Sequence, residues 1–161
     1  MSITIKKYTL SQLYVSIFDV ASVDLDLGFV YGRKEEEIPY PLNDGSIMDA
    51  VVRVYLHHPT FKTPQEVAHQ LHLDKRELSG AIHILTGVTH EELMRQYRLR
   101  GILELLTKTR LPVSAIATYY GYSTIHALNR FLTDQTELTA NEIRSGKNSQ
   151  EKRKRLAWWQ R

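Results

Sequence analysis

One stretch of this chain is written twice, and that limits what it can fold into more than any other property. Val67-Ala68, a break at Leu73-Asp74, then Leu78, Ile82, Val88, Thr89, Glu92 and Leu93 reappear as Ile116-Ala117, a break at Tyr122-Ser123-Thr124, then Leu128, Leu132, Leu138, Thr139, Glu142 and Ile143. The offset is about 49 residues before the break and about 50 after it, so one extra residue in the second break accounts for the slip. Each copy has the grammar of a helix-turn-helix. A short helix turns a small residue (Ala68, Ala117) to its partner, a tight polar break follows, and a second helix sets apolar residues four apart, Leu78 and Ile82 or Leu128 and Leu132. The outer face of that second helix is left for a partner.

Local signals place the helix starts. Thr63-Pro64-Gln65-Glu66 has a capping threonine, proline at the first helical position and glutamate three residues after the cap. Asp74, Thr89 and Thr139 open similar patterns, each with a glutamate three residues on. Residues 46–57 read as a helix with Ile47, Ala50, Val51, Val54 and Tyr55 on one face, ended by His58-Pro59. Residues 91–106 read as a long connector with Leu93, Tyr97, Ile102, Leu105 and Leu106 inward. Its Arg95, Arg98 and Arg100 read as a solvated face with one arginine buried against a carboxylate such as Glu104, phosphate contact being the alternative.

Residues 1–45 match no pattern so clearly. Tyr14 to Val20 and Gly28 to Tyr31 are rich in β-branched and aromatic residues, which favours short strands, with Gly32-Arg33 as a turn; Leu13, Ile17 and Val20 also sit at helical spacing. The extension is expected to be a cap packed on the helices or a dimerisation arm. Lys34-Glu35-Glu36-Glu37 with Pro39 and Pro41 reads as a solvated connector.

Charge is unevenly spread. Residues 1–45 carry four Lys/Arg against seven Asp/Glu, residues 46–144 eleven against ten, and residues 145–161 six against one. A polyanionic partner would therefore be met by local clusters, by helix N-termini and by the C-terminal tail, where Lys152, Arg153, Lys154 and Arg155 precede Trp158-Trp159. There is no cysteine, hence no disulfide or thiolate metal site, and no apolar run long enough to span a membrane; a cytoplasmic protein is expected.

Enzymatic signatures are lacking. His57-His58 and the pair His69 and His72 come without a carboxylate at a metal-binding spacing, and neither a glycine-rich phosphate loop nor a Gly-x-Ser-x-Gly elbow occurs. Asp24-x-Asp26 reads as a strand end. The expectation is a protein that is not an enzyme and holds no metal or cofactor.

Val67-Ala68 through Leu78, Gly87-Val88-Thr89, Tyr97-Arg98-Leu99, Val113 to Ala117, Gly121-Tyr122-Ser123 and the closing Glu142-Ile143-Arg144 resemble the DNA-binding domain of AraC/XylS-type transcription regulators. The resemblance covers residues 46–144 and is most specific at Ile116-Ala117-x-x-x-Gly121-Tyr122-Ser123 with Arg130 behind it. It implies a mainly α fold of seven helices, a double helix-turn-helix preceded by a small extension in which short β-strands are an open alternative. It further implies two recognition helices entering successive major grooves of double-stranded DNA about 34 Å apart, with bending of the site costing on the order of 1–6 kcal/mol. A nucleoid-associated, bacterial-type regulator follows, with RNA polymerase as a further partner and a homodimer through the extension as an option. Two departures bear on the last turn: the family's second glycine, aligned with Gly87, is Glu137 here, and its proline before the last helix is Ala140.

The base-reading set in the second head is Thr124, Ile125, His126, Asn129 and Arg130, with Ala127, Leu128, Phe131 and Leu132 in the core. Arginine can donate twice to guanine, asparagine can pair with adenine N6 and N7, and an apolar side chain can meet a thymine methyl. In the first head the set is Lys75, Arg76, Ser79, Gly80 and His83, where Ser79 and Gly80 stand at positions the family fills with longer polar residues. Phosphate contacts are expected from Lys62 and Thr63 and from Lys152, Arg153, Lys154 and Arg155 in the tail. The alternative reading is a protein-interaction module of the same fold, docking on polymerase or a partner regulator with DNA affinity largely lost.

Overall fold

The computed structural model describes residues 7–25 and 28–146, without the side chains of Phe29 and Glu35. The basic tail with Lys152 to Arg155 lies outside the described residues. Seven helices follow one another from residue 47 to residue 145: α3 (Ile47–His57), α4 (Pro64–Gln70), α5 (Lys75–Thr86), α6 (His90–Lys108), α7 (Val113–Tyr119), α8 (Ile125–Thr136) and α9 (Ala140–Ser145). Before them come two helical turns, α1 (Leu10–Leu13) and α2 (Ile17–Val20), and an antiparallel hairpin of β1 (Ala21–Asp24) and β2 (Phe29–Gly32).

Among the described residues, 7–15 and 39–97 form one compact unit and 16–38 with 98–146 another, so the extension is shared between the two. In the first unit Leu13, Met48, Val51, Val67, Leu78, Ile82 and Leu93 are fully buried or nearly so. The Tyr97 hydroxyl accepts from Val15 N at 3.1 Å and donates to Leu13 O at 3.3 Å, which ties residues 13–15 into this core. Burial on α3 is wider than the expected face, since Met48, Val52 and Leu56 are buried while Ile47 and Ala50 are half-buried.

The second unit is built on Leu99, Ile102, Leu103, Leu105, Leu106, Leu111, Ile116, Leu128, Leu132 and Leu138. Here the strand expected over residues 14–20 is corrected: its second half is α2. Ser16 caps that turn, its Oγ accepting from Phe18 N at 3.3 Å and donating to Glu104 Oε2 at 2.7 Å, while Ile17 N donates to Glu104 Oε1 at 3.4 Å. A buried carboxylate at a helix start satisfies donors that strand pairing would leave idle, and it outweighs the β propensity of Val15, Ile17 and Val20. The turn expected at Gly32-Arg33 is also displaced. Gly32 pairs with Ala21 at the end of the hairpin, and the chain reverses between Asp24 and Gly28, whose N–H donates to Asp24 O at 2.8 Å.

The repeat holds at the level of single hydrogen bonds. Leu73 N donates to Ala68 O at 2.9 Å and Tyr122 N to Ala117 O at 2.8 Å, closing the two helix-turn-helix elbows alike. Both second helices end on a threonine hydroxyl that donates back to a core residue's carbonyl, Thr86 to Ile82 and Thr136 to Leu132. The backbone turns left-handed at equivalent points, at His72 (φ 57°) and Gly121 (φ 78°) in the elbows and at Gly87 (φ 80°) and Glu137 (φ 64°) after the second helices. The turn that lacks the family's glycine thus keeps the glycine conformation. A side chain in this region costs about 1–2 kcal/mol, and glycine gives back about 0.4–1 kcal/mol through the unfolded chain. Glu137→Gly and His72→Gly should each stabilise their unit by about 0.5–1 kcal/mol. Denaturant unfolding checks this, and a loss of stability in either variant would refute it.

Candidate nucleic-acid interface

The first head is α5. Its start is fixed by Asp74, whose Oδ1 accepts from Arg76 N at 2.9 Å and Glu77 N at 3.1 Å. Leu78 and Ile82 point into the core, which leaves Lys75, Arg76, Gly80, His83 and Ile84 exposed and Ser79 half-buried. A Cβ added at Gly80 would meet nothing within 4 Å, so the glycine is not required by packing inside the protein.

The second head is α8, started by Thr124 Oγ1 accepting from Ala127 N at 3.0 Å. Leu128 and Leu132 are fully buried, whereas Ala127 and Phe131, expected in the core, are half-buried. Phe131 lies at the edge of the core under a cation: the Arg98 guanidinium sits 4.7 Å from its ring centroid and 5.9 Å from that of Tyr122. Burial pushes the Tyr122 hydroxyl pKa up, against the pull of the Arg98 charge and hydrogen bond. Arg98 therefore supports α8 from beneath. Of the other connector arginines, Arg100 is buried and Arg95 pairs with Glu92.

On the outer side of α8, Thr124, Ile125, His126 and Arg130 are exposed, with Ile125 at 45%. Asn129 differs. It is half-buried, and its Oδ1 accepts from Ala140 N at 2.9 Å, so it helps to cap the start of α9. The capping box of α9, Thr139 with Glu142, and the Arg144 Nε, which donates to Leu106 O at 3.2 Å in the last turn of α6, complete that seam. Burial lowers the Arg144 pKa.

Lys62 and Thr63 are exposed at the start of α4, but a carboxylate is already there. Glu66 Oε1 accepts from Lys62 N, from Thr63 N and from the Thr63 hydroxyl at 2.9–3.1 Å. Burial acts to raise the Glu66 pKa, yet these bonds and the Lys62 charge hold it below the usual carboxylate value. Thr63 thus serves as a cap, and the Lys62 backbone N–H is held by the same carboxylate. The histidines behave as individual side chains: His57 Nε2 and the Tyr40 hydroxyl share a hydrogen bond of 2.6 Å, and the His58 ring stacks on Phe61 at 4.5 Å. Among the described residues no three His, Cys, Asp or Glu converge on a common point, and no helix is long and apolar enough to cross a membrane.

Two comparisons bear on this arrangement. Residues 67–146 match the helix-turn-helix domain family. Among solved structures, the chain is similar to the C-terminal domain of AraT, a response regulator from Geobacillus stearothermophilus, at 25% identity and a TM-score of 0.56 over 65% of this chain and 88% of that one. No curated protein matches the chain.

Proposed function

Because residues 67–146 belong to the AraC-type helix-turn-helix family, and the chain is accordingly a DNA-binding transcription regulator, we propose that it reads one specific double-stranded site, with α5 and α8 in successive major grooves. The observation that carries this is the exposed stripe Ile125, His126 and Arg130 on a helix whose opposite side is sealed by Leu128 and Leu132. Arg130 is the candidate for guanine, Ile125 for a thymine methyl, and His126 for an acceptor beside them. In the first head Lys75, Arg76 and His83 supply charge and donors, with Ser79 and Gly80 between them. Lys62 and the basic residues Lys152 to Arg155 add sequence-independent affinity.

Binding of labelled duplex pools across a salt series tests this. A reader of DNA enriches one sequence and loses affinity steeply with salt, by a slope of about −0.9 for each phosphate neutralised. Failure to enrich any sequence, with a flat salt slope, overturns it and favours a protein-docking role. A specific observation supports that second reading for the first head, where Ile84 is 53% exposed on α5 next to short Ser79 and Gly80. RNA polymerase is then the partner to test.

Gly80 separates the two roles. Glycine inside a helix is worth up to about 1 kcal/mol less than alanine, so Gly80→Ala should stabilise the first unit by that amount. If the α5 backbone lies close to a phosphate, the same variant binds DNA more weakly. Unfolding and DNA titration of one preparation check both halves; unchanged DNA affinity would remove Gly80 from the interface.

A further inference from the structure

We infer that the hairpin of the extension is the docking surface for this chain's own basic tail, residues 147–161, and holds its Lys/Arg cluster and tryptophans until DNA displaces it. Charge in the second unit is segregated by segment. Residues 16–38 carry six Asp/Glu against two Lys/Arg, residues 98–144 four against six, and residues 147–161 one against six. The extension is thus opposite in sign to the tail, whereas residues 98–144 share the tail's sign.

Opposite charge alone holds exposed partners weakly and yields to salt, so a docking surface needs apolar contact as well. The hairpin supplies it. Val23 and Val30 pack against the core, while Tyr31, paired with Ser22, is 50% exposed and Leu25, just past the end of β1, is 58% exposed. At the other end Arg33 N donates to Val20 O at 2.8 Å, which brings Asp19 to the residues that follow β2, and there Asp19, Glu36 and Glu37 are exposed. Arg33 and Lys34 are exposed beside them and reduce the negative charge without cancelling it.

A strand of four residues is about 13 Å long, so the acidic end stands from Leu25 about as far as Lys152 to Arg155 stand from Trp158-Trp159 along extended chain. Residues 147–161 reach on the order of 50 Å from Gly146, several times the radius of gyration of about 11 Å for a unit of this size. The tail can therefore meet any part of that surface, and its tether gives it an effective concentration on the order of millimolar there. Docking withdraws the cations that add sequence-independent DNA affinity, with the hairpin standing in for phosphate.

Trp158 and Trp159 are the only tryptophans of the chain, so tryptophan emission and its quenching by acrylamide report on the tail alone. In the full chain at low salt, emission should lie at shorter wavelength and be quenched less than in a free peptide of residues 147–161, whatever the protein concentration. Both readings should move toward the peptide's at 1 M salt, where the Debye length falls to about 3 Å. Leu25→Ser with Tyr31→Ser should do the same at low salt, and so should Asp19→Asn with Glu36→Gln and Glu37→Gln. All five side chains are exposed, so folding should be kept, as circular dichroism checks; if one variant misfolds, the other decides. Wild-type tryptophans as open as those of the peptide overturn the inference. So do tryptophans that stay protected in either folded variant, or whose protection depends on concentration, as a contact between copies requires. The Leu25→Ser, Tyr31→Ser variant keeps the net charge and should bind a duplex of unselected sequence more tightly than wild type at low salt, an expectation that rests on the DNA-reading function proposed above. Equal affinity overturns the competition with DNA. If neither protein binds any duplex, that function fails instead, and the tryptophan readings still decide the docking.

Discussion

Between pH 7 and pH 4 the unit containing α3 to α5 should lose about 3 kcal/mol of stability through a single imidazole. His90, the first residue of α6, is 2% exposed, and neither ring nitrogen finds a hydrogen-bond partner among the described residues. Around it stand aromatic surfaces, the Tyr55 ring at 6.0 Å and, beyond it, Tyr97 at 5.2 Å from Tyr55. Burial pulls the His90 pKa down from 6.5 to about 4, against a smaller opposing effect of Glu91. A base whose folded pKa is depressed makes the unfolded chain take up protons first as pH falls. Stability is therefore whole above about pH 6.5, declines from there to about pH 4, and is level below. The penalty should already be about 2 kcal/mol at pH 5. His90→Leu keeps an apolar side chain of similar size and leaves nothing to protonate. Denaturant unfolding of both proteins from pH 4 to pH 8 should show curves that diverge as pH falls; parallel curves would refute the assignment.

Arg130→Ala should reduce affinity for the selected duplex by about 1–3 kcal/mol, roughly five- to 150-fold, and abolish discrimination at one guanine position. Arg130 is exposed on α8 and lies outside the buried core, so the change should leave folding intact. A phosphate contact predicts something else: uniform weakening over all sequences and a salt slope shallower by about 1. Titrations against the selected site and its single-base variants decide between these. Equal affinity of variant and wild type for every duplex would exclude Arg130 from the interface.

What could be seen in the sequence was what depends on near neighbours. Thr63, Asp74, Thr89 and Thr139 cap helices through atoms three residues away or fewer, and α5 and α8 expose the sides that their apolar spacing leaves over. What escaped depends on partners distant in the chain. Tyr14 to Val20 has strand composition, but Glu104 recruits Ser16 and Ile17 into a helical start across more than 80 residues. Asn129 looks from its spacing like part of the outer stripe, but it is half-buried and accepts from Ala140 N, although a signal was present, because a helix start without its proline has an N–H to satisfy. The left-handed turn at Glu137 was likewise encoded in its alignment with Gly87. Thr86 and Thr136 stand at the same offset as the other matched positions and could have been paired from spacing alone.

Glu104 has an implication for chain length in related proteins. Its carboxylate is 4% exposed and takes donors from Ser16 and Ile17, with the Lys108 ammonium 3.7 Å away. A buried carboxylate that loses two of its donors is a costly defect for a protein to carry. A homologue lacking the first 45 residues should therefore carry an uncharged residue at this point of its connecting helix, and a glutamate retained there would signal that some other segment has taken over the vacated place.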